Sequence, residues 1–591
     1  MSKLINYTIP IINNSQLPTY PIPSLEDTLN RFLEWVEPLV SAVELDEAKI
    51  AVDEFITTKD FRKLDKKIQE LGSTENDSWI YNYWVKMHLL IREPLSPHTN
   101  VPIIYHNDKL ATLSVTERMA VLIHSTATIY NEFTNKGTGE YWMNNKRYSS
   151  DQFHGLLAAI NDIKVGIDQY YINSSKSEHI VFSYRNHFYH MRVIENGQVV
   201  SYGQILQSID EILSCTPEPL IPNVNYVTIG VDRDQAANVL STILLNEENQ
   251  QSYQKIKDAI MVMNYDDAVS DTALEQLHQA CYNREHVNRW HGKGLQFSCS
   301  KNGQFSFVID HAFVDGGTEI YFIELLKQTI DEATISFGHS NQAPRIERLL
   351  FDISNEEKQS LLHFKEEFDQ CMDSFEARYV DFNQLSRSIL KEKGILSGDG
   401  FFHLALQVAQ YVTYQQIHNT YISVDVRKYF RGRTESNRPV SKESVHFAHE
   451  FVKKVKSKKE LQDLMKKALD EHHRRVKLCQ SGEGVNRYLY VLESVYKDFG
   501  ESMGIAEQPS LFDTTAFKEI ANNRLSTTSF GHPDIKYIYF PPVVSNGFGI
   551  YYMVAEQSFM IMTAFTDEIE TMDQLITNLQ NVITELLALQ E

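Results

Sequence analysis

The sequence predicts an α/β or α+β protein. Some segments repeat apolar residues at helical spacing, others are aromatic and β-branched runs, and the two kinds mix throughout the chain. The opening, LPTYPIPSLEDTL, is extended and proline-punctuated. Ser24 with Asp27 three positions on marks a helix start, and TLNRFLEWVEPLVSAV continues it. Segments 51–72, 114–134 and 150–171 also read as helices. IVFSYRNHFYHMRVI (180–194) reads as paired strands, and LQFSCSKNGQFSFVIDHAF (295–313) as two strands around the hairpin signal Asn302-Gly303. The second half carries long helices. One, 453–477, is rich in Lys and Arg and reads as a solvated face. YIYFPPVV (537–544) is a strand broken by a proline pair, NGFGIYYMV a turn and strand. The C-terminus is an amphipathic helix with Leu575, Leu579, Val582 and Leu586 on one stripe.

The chain has 591 residues, enough for several domains, and 42% hydrophobic and 11% aromatic residues supply large cores. The run ISNEEKQS (353–360) is the best boundary candidate, dividing 1–355 from 356–591. A formal net charge of −22 argues against a general nucleic-acid or anionic-membrane binder. An anionic ligand must then meet a local basic patch. Five scattered cysteines, odd in number and without CxxC, point to buried, reduced thiols in a cytoplasmic protein. MSKLINYTIPII has neither signal nor transit character, and no apolar run has membrane-span length. NHFYH (186–190) and EHH (471–473) lack further ligands at metal spacing, so no metal site is expected. There is no P-loop and no GxGxxG.

The stretch VIDHAFVDGG (308–317) ends a strand on His311, with Asp315, Gly316 and Gly317 following. Alone it reads either as a polar turn or as a general base held at the edge of a cleft. It stands in an ordered set: LPTYPIPSLEDTL, NRWHGKGLQF (288–297), HAFVDGG, FRGRTESNRP (430–439), RLSTTS (524–529) and YFPPVVSNGFGIYY. This set resembles the choline/carnitine acyltransferase family, from about Leu17 to the last helix.

The resemblance implies two chloramphenicol-acetyltransferase-like domains, mixed sheets flanked by helices, with the active site in a tunnel between them. His311 matches the base that deprotonates a hydroxyl for direct attack on a thioester. That role suits imidazole, whose pKa lies near working pH. Asp315 can orient a cationic partner, and Arg487 is the expected one. The glycines let backbone and substrate approach closely. The family's oxyanion hydroxyl comes from a Ser-Thr-Ser motif. Here Leu525-Ser526-Thr527-Thr528-Ser529 puts Thr528 in the last serine's place, with Ser529 available if the register slips. Tyr421, Thr434 and Arg487 match the residues that bind the carboxylate of carnitine, with Ser526 in the same substrate site. Tyr488 replaces the usual histidine after the arginine. Phe540 matches the aromatic face for the trimethylammonium. Ile538 falls where a bulky side chain closes the acyl pocket in short-chain members. The coenzyme A motif is altered. Arg387 and Lys391, at i,i+4 spacing, with Lys393 and Asp399, are the candidates, but a one-residue insertion is needed and Gly398 replaces a proline.

The leading expectation is a monomeric, cytoplasmic O-acyltransferase that moves a short, acetyl-like group between coenzyme A and carnitine, with no bound cofactor. Two alternatives stay open. One is a biosynthetic relative using an acyl-carrier protein or another alcohol, including choline. The other is a non-catalytic relative that binds acyl thioesters.

Overall fold

A computed structural model describes residues 17–73, 78–136, 141–143, 145–338 and 345–590. The N-terminal dodecapeptide weighed above lies outside them. The fold is mixed α/β, as expected, built on two mixed sheets flanked by helices. The first has eight strands, in the order Ile346–Leu349, His187–Arg192, His179–Tyr184, Val262–Asp266, Leu295–Ser300, Phe305–Asp310, Asn100–Tyr105 and Ile535–Ile538. The second has six, in the order Phe375–Asp381, Phe559–Phe565, Phe548–Met553, Leu525–Thr528, Thr420–Asp425 and Thr434–Asn437. Among the described residues no helix is long and apolar enough to cross a membrane.

The expected hairpin around Asn302-Gly303 forms. Gly303 takes φ 77°, the left-handed geometry such a turn requires. Ser24 caps the helix Leu25–Val36 by accepting from the Asp27 amide. The 180–194 run folds back on itself as paired strands. The C-terminal helix Ile569–Leu589 buries Leu575, Leu579, Val582 and Leu586.

Some expectations fail for local reasons. Segment 51–72 is two helices, Ala42–Thr57 and Arg62–Gly72. The helix expected over 150–171 is a four-residue turn, Phe153–Leu156, and then an antiparallel pair, Ala159–Asp162 with Gln169–Ile172. Ala158 at φ 57° ends the turn, and Gly166 at φ 78° lies between the strands. A short, fully buried apolar run reads equally as helix or strand, and tertiary contacts decided it. The Lys/Arg-rich helix starts later, at Lys458, after the Ser457 cap.

Two features interlock the halves of the chain. The strand Ile535–Ile538 leaves the second sheet's neighbourhood and pairs with Asn100–Tyr105 of the first, with Ile538 opposite Ile103. One core also joins Leu25, Phe32 and Phe55 of the first helices to Leu489, Leu492 and Phe517.

Candidate active site

The strand Phe305–Asp310 ends in register with Asn100, and the next amide, of His311, donates to the Thr99 carbonyl at 2.8 Å. His311 therefore starts a turn at the sheet's rim. Its Nδ1 lies 2.8 Å from the Val314 carbonyl. A carbonyl only accepts, so Nδ1 carries the proton and Nε2 keeps the lone pair of a base. The imidazole side chain retains 38% of its exposure, so this nitrogen has an approach path. Burial holds the His311 pKa below its ordinary value. Asp315 opposes that, and Arg433 and Arg487 add to it.

Asp315 precedes the helix Gly316–Glu332 but does not spend its carboxylate on capping. It accepts from Arg433 through Nε at 2.6 Å and Nη2 at 3.1 Å. Burial alone would raise this carboxyl, yet the Arg433 guanidinium brings it down to about 2. Arg433 also donates to the carbonyls of Ala312 (3.0 Å) and His311 (2.9 Å). The planar fork thus fixes the whole His311–Asp315 turn. This corrects the expected Asp315–Arg487 pair. Arg487 stands over Trp84, its guanidinium 4.0 Å from the ring centroid, while Arg433 occupies the carboxylate. Gln152 adds a further brace, accepting from the Asp315 amide at 2.8 Å and donating to Asp315 Oδ2 at 3.1 Å. The glycines serve protein neighbours: a Cβ on Gly317 would sit 1.8 Å from Arg427 Nη2, and one on Gly316 3.0 Å from the Phe530 ring.

Tyr421, Thr434 and Arg487 come together. Arg487 donates to the Thr434 carbonyl at 3.0 Å and approaches Tyr421 Oη and Thr434 Oγ1, each at 3.4 Å. Strand register explains the rest of the surface. Tyr421 pairs with Ser526, Asp425 with Thr434, and Thr528 with Tyr551. Laterally paired residues point the same way and alternate positions share a face. Tyr421, Thr434, Ser526 and Thr528 therefore line one face of the second sheet. Thr527 points to the other, donating to the Tyr421 carbonyl at 2.7 Å. Ser529 is exposed beyond the strand end. Phe530, two residues past Thr528, is the ring packed on Gly316, so this strand end meets the turn that carries His311.

Phe540 is half-buried, and its carbonyl accepts from Thr563 Oγ1 at 2.6 Å. A Cβ on Gly549 would lie 2.4 Å from that carbonyl, so the missing side chain lets the 540 segment cross the second sheet. Ile538 is buried in the core that holds Ala312 and Phe313. Arg387 and Lys391 are exposed on the short helix Arg387–Glu392, and Lys393 follows half-buried. Asp399 is committed internally. It pairs with His472 Nε2 at 2.6 Å, accepts from Tyr552 Oη, and lies well below the ordinary carboxylate range: burial opposes that shift, but His472 and His403 outweigh it.

A model of the family described as choline/carnitine O-acyltransferase matches residues 20–581. The chain belongs to this family. A Mycoplasma pneumoniae protein named "Putative acetyltransferase" is 28% identical over 98% of this chain and 95% of its own. Carnitine O-palmitoyltransferase 2 of Bos taurus is 26% identical over 91% and 87%, and carnitine O-acetyltransferase of Columba livia 24% over 92% and 88%. Among solved structures, F. graminearum TRI101 complexed with coenzyme A and T-2 mycotoxin aligns over 83% of this chain and 96% of its own, at 8% identity and TM-score 0.33. Membership in the choline/carnitine O-acyltransferase family assigns acyl transfer. The carnitine relatives carry both acetyl and palmitoyl in their names, so the likeness leaves acyl length open.

Several residues that the fold brings to this candidate site are not singled out by the sequence. Arg433 lies within FRGRTESNRP, where an arginine beside Thr434 is a visible signal. Gln152 sat in a segment read as helix. Trp84 and His88 lie on the helix Tyr81–Leu89, whose sequence carries no motif that marks them.

Proposed function

We propose that this protein transfers a short acyl group reversibly between coenzyme A and the hydroxyl of carnitine. One observation carries the reading. Arg433, which clamps the His311 turn, is followed directly by Thr434 of the cluster around Arg487. The arginine that holds the base's turn and a threonine of the carboxylate receptor are thus consecutive residues, which ties base and receptor together for an acceptor with a hydroxyl and a carboxylate on one small skeleton. The Arg487 guanidinium touches a carbonyl, two hydroxyls and an indole face, none of them a carboxylate. The buried Glu435 carboxylate feels this charge but accepts from the Arg487 backbone amide, at 3.3 Å; a guanidinium so placed suits a substrate carboxylate, which favours carnitine over choline.

His311 Nε2 takes the hydroxyl proton as the oxygen attacks the thioester carbonyl. The tetrahedral oxyanion is met by Thr528, and collapse expels the thiolate, which His311 protonates. Phe540 faces the ammonium, and Ile538 limits the acyl pocket to short chains. Arg387, Lys391 and Lys393 supply the local basic patch for the nucleotide of coenzyme A. Asp399 anchors the helix Gly398–Tyr414 beside them. The test is thiol release from acetyl-coenzyme A with L-carnitine, choline or no acceptor. Carnitine-dependent release that collapses in Arg487→Ala and vanishes in His311→Ala supports the reading. Release with choline alone, or none at all, turns it toward another alcohol or an acyl-carrier-protein donor.

A further inference from the structure

The helix Tyr81–Leu89 sets Trp84 against Arg433 and Arg487 and, one turn on, His88 against His311. The buried His88 ring meets His311 edge-to-face, with centroids 5.3 Å apart and planes at 80°. Its Nδ1 donates to the Trp84 carbonyl at 3.0 Å, so tautomer and ring plane are fixed from within its own helix. Burial and then the neighbouring His311 push its pKa down to about 3, so it is a neutral aromatic ring at working pH. We propose that His88 is a positioning residue for the base: its fixed ring covers one side of the His311 imidazole, excludes water there and holds its plane. The charged groups that act on His311 are Asp315 on its own turn and Arg433 and Arg487 from the second half of the chain.

The inference rests on His311 acting as the base but needs no acceptor for its test. Diethyl pyrocarbonate acylates unprotonated imidazole, and modification of the His311 peptide can be followed by mass spectrometry as a function of pH. Folded wild type titrates below the ordinary histidine value of ~6.5. With His88→Phe, which keeps a ring, the midpoint stays in place. With His88→Ala, water reaches His311, burial relaxes and the midpoint moves up. His88→Gln moves it the same way and decides the matter if the alanine variant does not fold. The acid limb of kcat/KM, where activity is measurable, follows the same order, with acceptor KM unchanged. A midpoint unmoved in both non-aromatic variants, or moved equally in His88→Phe, overturns the proposal. Failure of acyl transfer with carnitine leaves this titration readable, so the two readings fail separately.

Discussion

At the scale of single residues, the His311–Asp315 turn is an electrostatic device with its partner far off in sequence. Asp315 was legible because His311, Asp315 and the glycines are local. Arg433 was not, because 118 residues separate the pair and Arg487 is an equally plausible arginine until geometry is known. The pair makes a definite prediction. Asp315 sits near pH 2 in the fold against ~3.9 unfolded. A lowered carboxyl stabilises above its unfolded value and loses that contribution as pH falls through the folded one. Arg433→Met should thus cost about 3–5 kcal/mol at neutral pH, as breaking a buried pair does. In urea melts its gap to wild type should narrow between about pH 4 and pH 2. The oxyanion assignment is equally local. Thr528→Val should lower kcat about 10²–10³-fold, and Ser529→Ala, altering an exposed hydroxyl beyond the strand end, should leave kcat near wild type. The reverse result would move the register by one.

At the scale of elements, the sequence showed which strands exist but not which faces they share. The alternation in RLSTTS is visible, yet only the pairing of Leu525–Thr528 between Thr420–Asp425 and Phe548–Met553 places Ser526 beside Tyr421. The segment read as a helix over 150–171 shows the limit from the other side. Its buried apolar run satisfied a helical period, and left-handed backbone at Ala158 and Gly166 redirected it. Gly549 is an element-level constraint with a measurable consequence. A methyl group there meets the Phe540 carbonyl at 2.4 Å. Gly549→Ala should push the 540 segment off the sheet, costing about 1–3 kcal/mol of stability. It should also raise KM for a cationic acceptor more than it lowers kcat. Equal effects on both parameters would place the damage at the chemistry instead.

At the scale of the whole molecule, the division at about residue 355 suggested by the sequence meets a shared sheet. The strand Ile535–Ile538 lies about 180 residues past that division and completes the first sheet. Residues 1–355 made alone would expose the unpaired edge of Asn100–Tyr105 and should aggregate. Adding 356–591 in the same cell should restore solubility, and soluble, monomeric 1–355 would contradict this. The same strand bears on turnover. The chain passes from Thr528 in one sheet, through a strand hydrogen-bonded into the other, and back to Phe548. Opening the halves like a clamshell would break that strand's ladder on each catalytic cycle. The shared strand therefore ties the two halves against that hinge motion. Small-angle scattering profiles with and without acetyl-coenzyme A should superimpose, because the crossing strand holds the halves in one arrangement.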